Sequence, residues 1–111
     1  MMAEKGVLRD HEGHLVVEFD VEKLEQSFIG KIVQLHSLAE LFLHYEQTVN
    51  DMSFSIEDEL RAEIDQLGLV AIFERNPDSP APVVDPQIYP LQGELSFSLK
   101  QDTADESSHH P

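Results

Sequence analysis

Apolar and polar positions alternate near both ends of the chain, and between those stretches the apolar spacing widens to steps of three and four. Residues 7–9 and 14–19 form short alternating apolar stretches around Asp10-His11-Glu12-Gly13, where Gly13 can supply the positive φ of a tight reversal. This predicts a β-hairpin. Asp20 follows in the position of a helix N-cap, where its carboxylate would accept first-turn amides.

Over residues 21–52 the apolar spacing holds a period near 3.5: Val21, Leu24, Phe28, Leu35, Leu38, Phe42, Tyr45, Val49 and Met52, with the polar exception Lys31. The period predicts one long helix, kinked near Gly30 because glycine costs roughly 1 kcal/mol in a helix interior. Residues 28–35 are rich enough in β-branched side chains to read instead as a strand. Ser37-Leu38-Ala39-Glu40 resembles a capping box, so a helix could start afresh there.

A second helix is bounded more clearly. Ser55 and Asp58 form a capping pair, Glu57, Asp58 and Glu59 sit in the first turn, and Gly68 ends the helix. Its buried stripe is Ile56, Leu60, Ile64 and Leu67, and the short link at residues 51–54 makes the two helices an antiparallel hairpin. Residues 69–74 and 93–99 read as strands. Five of the six prolines lie between them, which predicts a stiff, extended loop. The expected fold is therefore α+β, a β-β-α-α-β-β order with the helical hairpin covering one face of a small antiparallel sheet. Residues 1–100 form the domain, and residues 101–111 a disordered polar tail.

Charge narrows the function. With 22 Asp and Glu against 7 Lys and Arg in 111 residues, the formal charge is −15. Such a surface repels nucleic-acid phosphates and anionic lipid, and it attracts basic protein surfaces and hard cations. The chain has no cysteine, so disulfides and thiolate chemistry are absent, and no apolar run approaches membrane-span length. A cytoplasmic location is the expectation.

Candidate chemistry is sparse. His11 and His14 in the turn could offer two nitrogens to a metal, but no third ligand is nearby. His36, Glu40 and His44 share a helical stripe, although the outer two lie roughly 12 Å apart along the axis and cannot share one ion. No EF-hand, phosphate loop, nucleophile elbow or zinc-protease motif occurs. The dense carboxylates Glu40, Glu46, Asp51, Glu57, Asp58, Glu59, Glu63 and Asp65 are the candidate partner-binding residues. They predict a non-enzymatic acidic protein that regulates or shields a basic surface on another protein, in one form as a nucleic-acid mimic, with no cofactor. The alternative is Ca²⁺ binding by Asp51, Glu57, Asp58 and Glu59 at the turn between the helices. A homodimer is also expected, because Ile29, Ile32, Val33, Ala39 and Leu43 widen the apolar face of the long helix.

Overall fold

The structure, a computed structural model, describes residues 3–100. Six strands close into an antiparallel barrel in the order β1-β2-β3-β6-β5-β4. The strands are β1 (Ala3–Arg9), β2 (Leu15–Leu24), β3 (Ser27–Leu35), β4 (Val70–Phe73), β5 (Ala81–Tyr89) and β6 (Glu94–Leu99). Helices α1 (Ala39–Asn50) and α2 (Phe54–Gln66) connect β3 to β4. The chain is thus two three-stranded meanders joined by a helical hairpin, with β3 pairing β6 and β1 pairing β4.

This overturns the open sheet and the long helix. Residues 21–35 are the end of β2 and all of β3, so Asp20 caps no helix and pairs with Lys31 across the ladder. The inward positions Val17, Phe19, Val21 and Phe28 are buried, which is the period of two expected of a barrel wall. Gly30 continues that inward row opposite Val21, and a Cβ there would sit 2.6 Å from the Val21 Cα and closer still to the Asp20 carbonyl oxygen. Glycine lets β2 and β3 approach closely here. The helical face proposed for self-association does not exist. Ile29 and Val33 point outward from β3, at 47% and 59% exposure.

A second correction concerns the proline-rich stretch, which contains β5. Proline lacks an amide donor and enters sheets at edges and bulges. Pro82 pairs with Val70 at the barrel's shortest seam, where β4 and β5 share two register pairs, and Pro86 lies in a bulge between Val84 and Gln87. Asp85 in that bulge has φ of 53°. The expected tail at residues 101–111 lies outside the described residues.

The barrel interior is filled by side chains. Phe19 lies 5.5 Å from Phe73 and 5.3 Å from Phe97, while Phe28 lies 5.1 Å and 5.4 Å from the same two rings. Phe19 and Phe73 meet edge-on, Phe28 and Phe97 are stacked, and the other two pairs are tilted, all within the centroid range of favourable aromatic pairs. The helices extend the core with Phe42 and Tyr45 from α1 and Leu60 and Ile64 from α2. The hairpin is oriented by its entry. His36 donates its amide to the Val16 carbonyl, Ser37 Oγ donates to the Leu15 carbonyl, and Leu38 with φ of 64° starts α1 without a side-chain cap. Met52 turns the chain with φ of 58°, and Gly68 with φ of 61° releases it from α2 into β4. No helix of the described residues is long and apolar enough to cross a membrane.

Candidate functional site

At about 100° per residue, α2 divides its charges between two faces. Phe54, Glu57, Asp58, Arg61 and Asp65 fall on one side, while Glu59 and Glu63 fall on the reverse. The first side borders β5. There Arg61, the sole Lys or Arg in residues 36–69, donates from Nη1 to Asp85 Oδ1 at 2.8 Å and from Nη2 to Glu57 Oε2 at 3.1 Å. Its guanidinium also lies 5.8 Å from the centre of the Tyr45 ring.

A hydrogen-bond chain continues from this ion pair into the core. Gln87 Nε2 donates to Asp85 Oδ1 at 2.9 Å, and Gln87 Oε1 accepts from the hydroxyls of Tyr45 at 3.1 Å and Tyr89 at 2.6 Å. The two tyrosine rings are stacked, 6.4 Å between centroids. Burial pushes both phenols above their ordinary value, against a smaller opposing effect of Arg61. For Arg61 desolvation favours the neutral form, but Glu57, the Tyr45 phenol and Asp85 outweigh it and raise its pKa.

Beside the network runs a groove of about 400 Å³ between α2 and β5. Ile64, Leu69, Val83 and Pro86 contribute apolar walls, and Arg61, Asp65 and Asp85 contribute charge. Its cause is topological. β4 begins at Val70, so beyond the Val83 amide bond to the Leu69 carbonyl the neighbour of β5 is α2.

Of the acidic residues singled out in the sequence, Glu57, Asp58 and Asp65 lie along this side of α2, Glu57 pairing Arg61 and Asp65 lining the groove. Glu40 and Asp51 are exposed at opposite ends of α1, and Glu59 and Glu63 are exposed on the reverse of α2. Glu46 contradicts its placement on a docking surface. It is 1% exposed, with Oε1 accepting from the Leu91 amide at 2.7 Å and Oε2 buried without a partner among the described residues. It lies four residues after Phe42 and beside Tyr45, on the buried side of α1.

Among the described residues no three His, Asp or Glu side chains gather to hold a metal ion, so the carboxylates of the helix turn form no cation cage. His14 and His36 pair with acids instead. His14 Nδ1 lies 3.1 Å from Asp10 Oδ2. His36 precedes α1 and contacts Glu18 on β2, so the expected stripe with Glu40 and His44 does not form. Asp85, Gln87 and Tyr89 were missed because they sit among prolines. Asp85 and Gln87 alternating with Val84, Pro86 and Ile88 was the available sign of a strand.

No family model, curated protein or solved structure matches the chain.

Proposed function

We propose that this protein acts by binding a basic surface on a protein partner, through the acidic helical hairpin and the adjoining bulge of β5. The observation that carries this reading is the charge balance of the hairpin. Its sole guanidinium is already held by Glu57 and Asp85, while Glu40, Asp51, Asp58, Glu59, Glu63 and Asp65 are exposed and have no ion pair among the described residues. Repulsion among unpaired carboxylates costs stability that a cationic partner would return, and the same field steers that partner during encounter.

Apolar side chains accompany the charge. Met52 and Phe54 at the hairpin tip are 69% and 66% exposed, next to Asp51 and preceding Glu57 and Asp58. Interfaces combine a small apolar centre with a polar rim, and this tip offers both. Affinity capture at low salt, followed by measurement of the isoelectric points of the captured proteins, tests the reading. Basic partners that elute as salt rises and that fail to bind a D58N/E59Q/E63Q/D65N variant are the expected result. Captured proteins with no basic bias would overturn it.

A further inference from the structure

We infer that the groove between α2 and β5 receives a lysine or arginine side chain of the partner, its aliphatic stem lying on Ile64, Val83 and Pro86 and its cationic head between Asp65 and Asp85. This rests on the preceding reading of a basic partner and specifies where that partner engages.

Three features of the groove select this chemistry. Asp65 and Asp85 against Arg61 leave the lining with two negative charges to one positive, and Glu57, which also pairs Arg61, adds a third carboxylate beside it, so an anion is disfavoured. The charge of Arg61 is already offset by Glu57 and Asp85, which weakens its attraction for an incoming anion. A bare divalent ion is also a poor fit, because it needs converging oxygens and no such group exists among the described residues.

What remains is a group with an apolar body and a cationic tip. Lysine and arginine are built this way, and they bury their methylenes along apolar surface while the head stays hydrated or paired. The Asp65 side chain has no partner among the described residues and is exposed at the rim. Asp85 is held out of the β5 ladder by the bulge, its side chain 64% exposed, so it can accept a second cation beside Arg61. The volume of about 400 Å³ admits one long side chain together with the backbone that carries it.

The test uses the full chain and two cationic peptides of equal length and charge, deca-lysine and its analogue in which each side chain is shortened by two methylenes. Calorimetric titration at moderate salt should show deca-lysine binding at least about threefold tighter, because only the longer stem reaches the apolar wall while the head stays at the rim. D65N should weaken deca-lysine by about three- to fivefold, and D65K by more. E59Q, which removes one charge from the reverse of α2, should change it by less than about twofold. Asp65 is exposed and unpaired, so these variants leave the fold intact. Equal affinity for both peptides, or equal losses in D65N and E59Q, would reject the groove and leave binding by overall charge. Failure of both peptides to bind at low salt would reject the basic-partner reading itself.

Discussion

Gly30→Ala is the substitution whose sign separates the barrel from a long helix. In a helix interior, replacing glycine by alanine stabilises by roughly 1 kcal/mol. In the barrel the added Cβ would stand 2.6 Å from the Val21 Cα and closer still to the Asp20 carbonyl oxygen, where ordinary contact begins at 3.4 Å, so β2 and β3 must separate by more than about 0.8 Å. The obstructing atoms are backbone, the Asp20 carbonyl oxygen among them, and no rotamer change can move them aside. Both strands are tied on either side by antiparallel ladders, so the shift spreads through the wall. Overpacking of this kind costs about 1–3 kcal/mol, and the immobile obstruction puts G30A at the upper end, about 3 kcal/mol. For a domain of this size the melting temperature should fall by about 12–24 °C. Thermal and urea unfolding followed by circular dichroism would measure it. Gly13→Ala is the control. Gly13 has φ of 91° and open space around its Cβ, so G13A carries only the backbone cost of about 1 kcal/mol. A G30A variant as stable as the parent, or no worse than G13A, would refute the close approach of β2 and β3.

Phe28 and Phe97 face each other across β3 and β6 with stacked rings 5.4 Å apart, so a double-mutant cycle with leucine at each should give about 0.5–1.5 kcal/mol of coupling; additive losses would argue against that pairing. The chain has 2 tyrosines, and both phenols are raised above 10.0 by burial, so the whole native phenolate titration should lie above that of the unfolded chain. Because the folded values are the higher, this stabilisation is complete below pH 10.0 and is lost as pH rises through the folded values; a native midpoint at or below the unfolded one would contradict the burial of Tyr45 and Tyr89. Glu46→Ala should cost about 2–4 kcal/mol by leaving the Leu91 amide unpaired above a cavity, whereas Glu46→Gln keeps the acceptor and should cost less than about 1 kcal/mol; equal losses in urea unfolding would show that the acceptor is not what matters.

The hairpin of β1 and β2, the helix α2 with its buried Leu60 and Ile64, and the alternation of β6 were legible because local pattern and burial agree there. β3 was misread for two physical reasons. Its inward row carries Gly30, which leaves a gap in the apolar alternation, and its outward row carries Ile29 and Val33, which widen the apparent apolar face of a helix. β5 was hidden by Pro82 and Pro86, which are tolerated only because one lies at a short seam and the other in a bulge. The candidate site was half visible. Composition marked the carboxylates of α2, but nothing in the sequence brings Asp85 to Arg61, a pairing 24 residues apart that closure of the barrel creates. Glu46 could have been separated from the surface acids by its place on the stripe of Phe42, Tyr45 and Val49.

The join between the two meanders also sets the order of events during synthesis. β1, β2 and β3 leave the ribosome first and pair with one another, but the outer edges of β1 and β3 have no partner until β4 and β6 follow the helices. For that interval the nascent chain is an open sheet with Phe19 and Phe28 uncovered, the state in which unpaired edges recruit other chains. Lys5 and Lys31 lie on those two edges, and the carboxylates of the helical hairpin emerge next, adding mutual repulsion between neighbouring nascent chains before the barrel can close.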